Sequence, residues 1–232
     1  MSSQTLHIGL LLFPIGYQWL DAAGSVDYLN NHSQAMMKKL NVSKAILDKA
    51  PIIVWYYISS DLTPIEATSG PLQIPSHTYA DCPPIDYLFV PGPDPAAPLP
   101  EGCAAFLQER VPKLKALLTV CTGSMAIAQA GVLDGLHVCS NKIALKQFVE
   151  AGKLNKKVKW VGDRRWIVDG KVWSSAGITA GIDLSAEFAR VNFDPEVVEL
   201  AKLVSEYEPN PAQPDPFAKI LEGINLNDSN EY

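Results

Sequence analysis

The chain has 232 residues, 47% hydrophobic and 19% charged, so it can bury a sizeable core; its length fits one large α/β domain better than two small ones. The formal net charge of -6 and the scattered Lys and Arg residues argue against nucleic acid as a partner. No apolar run approaches the roughly 20 residues of a membrane span, and no signal-peptide pattern opens the chain. We therefore expect a cytoplasmic protein, cytosolic or also nuclear, with no membrane partner.

The four cysteines, Cys82, Cys103, Cys121 and Cys139, are widely spaced and form no C-x-x-C pair. This spacing suggests neither a zinc site nor a disulfide scaffold, so reduced thiols and no metal are expected. Because a buried Cys behaves as a small hydrophobe, three of them are interpreted as structural or surface residues. Cys121 is set apart by its neighbours.

Short apolar runs predict four strands that are buried on both faces. They lie at residues 6–13, 52–58, 87–90 and 117–120. Helical patterns lie between and after them, at residues 21–30, 33–47, 103–110, 124–130 and 142–151. Because strand and helix alternate, the predicted fold class is α/β, a doubly wound parallel sheet sandwiched by helices.

A β-hairpin is predicted near 165–175, since two strand-like runs flank Asp169-Gly170 and this pair favours a tight two-residue turn. Thr179 is then expected to cap a helix that runs to about residue 191. Asp194 caps the next helix, with Pro195 at its first position.

The last predicted helix carries Val197, Ala201 and Val204 at a spacing that indicates one core-facing stripe. Two segments are too rich in proline for a helix or a central strand, residues 91–100 with five prolines and 209–216 with four. We interpret the first as a loop and the second as a strap. The predicted division is a single domain, 1–221, followed by a polar tail, 222–232.

Cys121 directly follows the 117–120 strand and precedes a helix of small residues. This is the pattern of a nucleophile elbow, a sharp turn that holds the side chain clear of the sheet. Such a turn requires small residues two positions before and two positions after the nucleophile, so that strand and helix can pack closely. Gly123 fits the later position, and Thr119 fits the earlier one less well. The helix start is expected to lower the thiol pKa below its free value of about 8.5. The alternative is a buried Cys in a strand-to-helix joint.

In a parallel sheet the loops after the strands meet at one edge, where open α/β folds bind ligands. Four such loops should converge, at 16–21, 91–94, 121–122 and 175–178. Gly92 therefore belongs to the predicted site, and Trp19 is the one tryptophan given a role in the pocket. The four histidines, His7, His32, His77 and His137, lie outside these loops and are interpreted as surface or core residues.

Asp21 is the only carboxylate of the first converging loop and has apolar neighbours, Trp19, Leu20 and Ala22. Such a setting can raise its pKa into the range of a working acid. It could equally be a plain helix cap. Its position alone leaves both interpretations open.

Together these motifs resemble a known family. They lie at residues 13–14, 19–27, 89–92, 120–124, 130–135 and 174–183, with the proline-rich strap at 207–217. The chain is similar over nearly its whole length to the ThiJ/PfpI superfamily, and within it to the isocyanide hydratase branch. The resemblance implies a flavodoxin-like sandwich, a homodimer, a small-molecule substrate, and no metal or organic cofactor.

The same resemblance implies that Asp21 faces the Cys121 sulfur, and that Thr122 and the backbone near Gly177 and Ile178 line the site. In the implied reaction, Cys121 adds to the terminal carbon of an isocyanide, R–N≡C, and Asp21 supplies the proton to form a thioimidate. Water then releases an N-substituted formamide, with Asp21 acting as the base.

Two residues depart from patterns found among relatives. Thr122 stands where protease-like members carry a His after the Cys, which disfavours peptide hydrolysis. Asn141 stands where many relatives carry a His, and it is either a polar positioner or a sign of another substrate. The alternatives to a hydratase are a glyoxalase-like enzyme acting on α-dicarbonyls, and a non-enzymatic redox sensor or chaperone-like dimer whose Cys121 is oxidised reversibly.

Overall fold

The computed structural model describes residues 4–227, which form two β-sheets and the helices that flank them. Their nine strands are β1 (Thr5–Leu11), β2 (Ile52–Ser59), β3 (His77–Thr78), β4 (Tyr87–Val90), β5 (Ala116–Thr119), β6 (His137–Cys139), β7 (Lys159–Val161), β8 (Trp166–Asp169) and β9 (Val172–Ser175). The larger sheet has seven strands in the order β3-β2-β1-β4-β5-β9-β8. All neighbours in it are parallel except β8 and β9, which form the predicted hairpin.

The helices flank this sheet and confirm the α/β class. They are α1 (Trp19–Asn30), α2 (Gln34–Lys39), α3 (Lys44–Leu47), α4 (Cys103–Arg110), α5 (Gly123–Ile127), α6 (Lys142–Glu150), α7 (Ala180–Asn192) and α8 (Pro195–Ser205). Helices α1 and α7 pack closely, because Gly24 leaves room for Ile182, whose side chain would lie 2.9 Å from an added Cβ. Asp194 caps α8 as predicted, since its side chain accepts the N–H of Glu196 at 3.0 Å.

The core lies on both faces of the central strands. Every residue of β4, β5 and β9 is buried, as expected for apolar strands covered by helices on either side. From α7, Phe188 meets the rings of Tyr87 and Trp173 edge-on, with centroids 5.1 and 5.5 Å away. These contacts fix α7 against the sheet, and with it the loop that precedes α7.

The predicted helix over 33–47 is wrong in one respect, because it is two helices. Asn41 has a left-handed backbone with φ 52°, a conformation that Asn tolerates better than most residues and that ends α2. Ser43 then starts α3, its side chain accepting the N–H of Ile46. Met37 of the first helix and Ala50, after the second, pack with Val197 in a small separate core.

Three strands escaped prediction, β3, β6 and β7, each of two or three residues. Runs this short carry no readable alternation, and β6 and β7 pair only with each other. The predicted stripe on α8 is also wrong at its end. Val197 and Ala201 are fully buried, whereas Val204 is 39% exposed because the last turn of α8 extends beyond the core.

The predicted polar tail, 222–232, lies outside the described residues from 228 onward. In its described part, Leu226 packs against the main core. Asn227 exchanges two hydrogen bonds with the backbone of Trp160, at 2.9 and 3.0 Å. The division of the chain at residue 221 stays a prediction.

Among residues 4–227, no helix combines the length and the apolar character needed to cross a membrane.

His32 is a buried histidine just after α1, and its Nδ1 lies 3.1 Å from the carbonyl oxygen of Tyr28. Its Nε2 has no hydrogen-bond partner within the described part of the chain. Burial therefore lowers the pKa of His32 to about 4, although the carbonyls of Tyr28 and Leu29 oppose the shift. The folded protein holds this imidazole neutral.

Unfolding releases His32 to its free pKa of about 6.5, so the unfolded state binds an extra proton between pH 6.5 and 4. We expect this residue alone to lower the free energy of unfolding by about 2 kcal/mol from pH 7 to pH 5. In His32→Asn that loss should disappear, because Asn can donate to the Tyr28 carbonyl without titrating. Asp21 titrates in the same window, so the quantity to measure is the difference between variant and wild type in denaturant unfolding. His77→Asn is the control, and an equal pH dependence in wild type and His32→Asn would contradict the assignment.

Candidate active site

Cys121 lies in the three-residue turn between β5 and α5. Its backbone is left-handed, with φ 58°, a strained conformation for a residue other than glycine. Gly123 permits this turn, because an added Cβ would collide with the carbonyl oxygen of Val90. Sheet and helix therefore approach closely, in the geometry expected of a nucleophile elbow.

Hydrogen bonds hold the backbone of Cys121 at both ends. Its N–H donates to the carbonyl of Ala176 at 3.1 Å. Its carbonyl accepts the hydroxyls of Ser140 at 2.8 Å and Ser124 at 3.3 Å. Such anchors can offset the roughly 1–3 kcal/mol that a strained residue costs. Ser140 is a contributor that sequence reasoning missed, since nothing in its local pattern marks it.

Asp21 lies in the first turn of α1 and is 1% exposed. It does not cap this helix, whose N-cap is Gln18, so the cap interpretation is wrong. Its Oδ2 accepts the N–H of Gly92 at 2.9 Å, from the loop after β4. Its Oδ1 is buried and has no partner of regular geometry within residues 4–227. The Cys121 thiol nevertheless approaches closely enough, as a donor, to lower the pKa of this carboxyl.

Burial is the larger influence and raises the pKa of Asp21 to about 7, although the Gly92 N–H and the Cys121 thiol oppose the shift. Near neutral pH the carboxyl is therefore close to half protonated. A group in this state can both accept and donate a proton at the working pH.

Three donors surround the Cys121 sulfur. The N–H groups of Ile178 and Thr122 and the side chain of Asn141 each favour the thiolate and lower the thiol pKa. Ile178 is itself left-handed, with φ 46°. Asn141 also caps α6, its Oδ1 accepting the N–H of Ala144 at 3.1 Å. Its side-chain oxygen is thus committed to the helix, and its NH₂ remains for the sulfur.

The thiol pKa nevertheless moves opposite to the prediction. Burial, helped by the neighbouring Asp21 carboxylate, raises the pKa of Cys121 to about 11 despite the three donors. The prediction was wrong because it weighed only the helix start, and α5 has five residues. Desolvation of a thiolate outweighs so short a helix. The resting group at pH 7 is a neutral thiol.

Cys121 and Thr122 line a cavity of about 640 Å³ at the carboxyl edge of the sheet. Residues 14–18, 66–68 and 92–95 complete its wall. Thr122 is fixed at this wall because its hydroxyl donates to the carbonyl of Pro93 at 2.7 Å. Gly92 must be glycine here, since an added Cβ would lie 2.5 Å from the Thr122 hydroxyl and 2.9 Å from Asp21.

Four other predicted site residues do not line this cavity. A separate cavity of about 340 Å³ is lined by three of them, Asn141, Gly177 and Ile178. Gly177 allows Asn141 to approach, because an added Cβ would lie 2.5 Å from its side-chain nitrogen. Trp19 lines neither cavity. Its indole packs on Gly70 and its backbone N–H donates to the Thr68 hydroxyl at 3.1 Å, so it supports the loop that forms one side of the larger cavity.

Glu66 and Thr68 are wall residues that sequence reasoning missed. They belong to the long connection between β2 and β3, which has no converging-loop signal, and they reach the site because Thr68 N–H donates to the carbonyl of Tyr17 at 2.9 Å. None of the residues that line the larger cavity is a histidine. Within residues 4–227, no group of three or more His, Cys, Asp and Glu is placed to hold a metal.

Alkylation of Cys121 tests the balance of charge around the thiol. In Asp21→Asn the neighbouring carboxylate is gone, so the pKa of the Cys121 thiol should fall, and the pH midpoint of its reaction with iodoacetamide should move down. Peptide-resolved mass spectrometry would measure the rate at Cys121 against pH, with Cys121→Ser as the background. A midpoint that stays in place or rises would show that the Asp21 charge does not act on this sulfur.

Known proteins are similar to this chain in sequence or in fold. An isonitrile hydratase from Pseudomonas putida is 28% identical over 208 residues, which cover 89% of this chain and 80% of that protein. The crystal structure of a ThiJ/PfpI family protein from Pseudomonas syringae has a TM-score of 0.70 at 24% identity, covering 92% of this chain and 78% of the other. DJ-1beta of Drosophila melanogaster has a TM-score of 0.65 at 14% identity, covering 89% and 99%.

A family-level match accompanies these individual similarities. Residues 38–191, more than half of the chain, match the DJ-1/PfpI family. The motif resemblance noted from the sequence is thereby confirmed at the level of the family. The protein belongs to the DJ-1/PfpI family.

Proposed function

We propose that this protein is a cofactor-free, cysteine-dependent hydratase that converts isocyanides, also called isonitriles, into N-substituted formamides. The observation that supports this best is the pair formed by the Cys121 thiol and the buried Asp21 carboxyl, whose pKa is about 7. The pair carries a transferable proton beside a potential nucleophile. Similarity to an isonitrile hydratase over most of the chain agrees with this chemistry.

In the first step the thiol adds to the terminal carbon of R–N≡C. A bond forms between sulfur and carbon, the S–H bond breaks, and the proton reaches the same carbon through Asp21. The product is a thioimidate, Cys121–S–CH=N–R, with no change in net charge. A neutral thiol suits this step because it supplies both atoms that the carbon gains. Asn141 and the N–H groups of Ile178 and Thr122 stabilise negative charge on sulfur during the transfer.

Water completes the reaction in the second step. Asp21, ionised at this stage, accepts a proton from water as the oxygen attacks the thioimidate carbon, and passes that proton to the nitrogen. The C–S bond then breaks, the sulfur takes the remaining hydroxyl proton, and R–NH–CHO leaves. The sum is R–N≡C plus one water, so no oxidant, reductant or cofactor is required. A carboxyl with a pKa near 7 can serve as acid in one half and base in the other.

The alternatives receive less support from the same site. Redox-sensor cysteines react as accessible thiolates, whereas burial raises the pKa of Cys121 to about 11. The glyoxalase-like interpretation requires a histidine near the Cys, and none lines the larger cavity. The homodimer and the cytoplasmic location remain predictions from the sequence.

The charge of the larger cavity favours neutral substrates. Its lining includes two exposed carboxylates, Glu66 and Asp94, and no Lys or Arg. A cavity of about 640 Å³ is about 10 Å across, comparable with the screening length in physiological salt, so both charges should act at Cys121. An anionic substrate would be repelled. An isocyanide with a neutral R group would not.

Charged alkylating reagents test this selectivity without assuming the reaction. Iodoacetamide and iodoacetate differ mainly in charge, so the ratio of their rates at Cys121 should exceed the ratio for glutathione by about three-fold or more. The excess should shrink in Glu66→Gln/Asp94→Asn and at high salt. Equal ratios for Cys121 and glutathione would show that the wall charges do not select substrates.

The decisive experiment on the proposed function is hydration of an aryl isocyanide by Asp21→Asn. Loss of a general acid typically removes about 10²–10⁴-fold in rate, so kcat/KM should fall by that factor while the fold persists. Asp27→Asn is the matched control, an exposed aspartate on the same helix. Formamide production would be followed by chromatography and the fold by thermal melting.

A mass adduct completes this test. Brief exposure of the wild type to substrate should add the mass of one isocyanide to the Cys121 peptide, and Cys121→Ser should show none. Turnover in Asp21→Asn within a few-fold of wild type would refute the mechanism. Absence of both turnover and adduct in the wild type would refute the hydratase function itself.

A further inference from the structure

Donors from two distant parts of the chain converge on one buried carboxylate away from the reacting pair, that of Asp183 in the first turn of α7. The guanidinium of Arg165 donates to Oδ2 through Nε at 2.8 Å and Nη2 at 2.5 Å. The hydroxyl of Tyr207 at 2.5 Å and the N–H of Asn210 at 2.7 Å donate to Oδ1. We call these four residues the Asp183 clasp.

The clasp is dry. The side chain of Asp183 is 0% exposed and that of Arg165 is 9% exposed. Both oxygens of the carboxylate accept hydrogen bonds. Two guanidinium N–H groups of Arg165 donate to the same oxygen, and this pair of bonds fixes the orientation of the guanidinium as well as its distance. Removal of one partner would leave a buried charge uncompensated. The arrangement is therefore held in one geometry.

One side of the clasp holds the carboxyl-terminal strap. Tyr207 and Asn210 belong to the segment that follows α8, and the N–H of Arg165 donates to the carbonyl of Ala212 at 2.8 Å. These bonds fasten the proline-rich segment to the hairpin end of the sheet and to α7. Arg165 thus bonds both to Asp183 and to the strap.

The other side of the clasp holds the loop that carries partners of Cys121. The carbonyl of Arg165 accepts the N–H of Ala176 at 2.7 Å, and its Nη2 donates to the Thr179 hydroxyl at 3.4 Å. Ala176 in turn accepts the Cys121 N–H at 3.1 Å. Between Ala176 and Thr179 lies Ile178, whose N–H points to the Cys121 sulfur. Arg165 therefore bonds to both sides of the residue that contacts the thiol.

From this geometry we propose that Arg165 and Asp183 are positioning residues, which hold the loop before α7 so that Ala176 and Ile178 orient Cys121. The kinetic part of this inference rests on the proposed hydratase function, and the alkylation part does not. Ile178 needs such support because a β-branched residue with φ 46° is strained and relaxes unless its surroundings hold it. Relaxation would turn its N–H away from the sulfur. The clasp thus connects the strap to the reacting thiol.

Two variants separate positioning from mere stability. Tyr207→Phe removes one donor to Asp183 and keeps the ring and the ion pair. Arg165→Lys keeps the charge but loses the fork and the Thr179 contact. In both, the pH midpoint of Cys121 alkylation by iodoacetamide should rise by about 0.3 unit or more, since a donor to the thiolate is weakened. For an aryl isocyanide, kcat should fall about ten-fold in Arg165→Lys while KM stays within about three-fold, because the larger cavity is untouched.

Arg190→Lys is the matched control, the same substitution at an exposed arginine that lies on α7, the helix of Asp183, and pairs with Glu187. It should leave the midpoint and kcat at wild-type values, with folding of every variant verified by thermal melting. Wild-type midpoints in folded Tyr207→Phe and Arg165→Lys would overturn the proposal. If Arg165→Lys does not fold, the midpoint of Tyr207→Phe decides alone. If the wild type hydrates no isocyanide, the hydratase proposal fails and the alkylation midpoints still decide the role of the clasp.

Discussion

The site depends on one strained residue, the left-handed Cys121 at the end of β5. Side chains of strand residues point to one face of the sheet or the other, whereas Cys121, in the turn after the strand, lines the cavity at the carboxyl edge. The conformation persists because Ala176 and Ser140 bond both backbone groups of Cys121, and because Gly123 lets α5 approach the neighbouring strand. Strain at one residue is thus balanced by several hydrogen bonds in its surroundings. The position of the sulfur relative to every other group follows from this turn.

Burial then sets the protonation of the site. The same dry surroundings raise the pKa of Asp21 to about 7 and that of Cys121 to about 11, because each loses hydration of its charged form. The short helix after the elbow supplies too little field to reverse this. At neutral pH such a site holds a protonated thiol beside a carboxyl that can exchange protons, whereas other cysteine sites hold a stable thiolate. The proposed hydration of a small, uncharged electrophile rests on this pair.

Much of the fold could be predicted from the chain alone. The apolar runs of β4 and β5 and the Asp169-Gly170 hairpin were identified because strong local patterns produce them. The break at Asn41 and the three-residue strands β6 and β7 could not be predicted. Both depend on which distant segments the chain packs against, and a pattern of two or three residues carries no such information.

The sequence by itself determined that a cysteine follows a buried strand, that an aspartate follows another, and that both lie at the same edge of a parallel sheet. Only the tertiary structure decided that the Cys121 thiol is neutral at pH 7 and that Trp19 does not line the cavity. It also decided that Arg165 and Asp183 meet beneath the loop before α7. The physical reason is that strands and helices follow from local periodicity, whereas hydration and contacts between distant residues are set only when the whole chain packs.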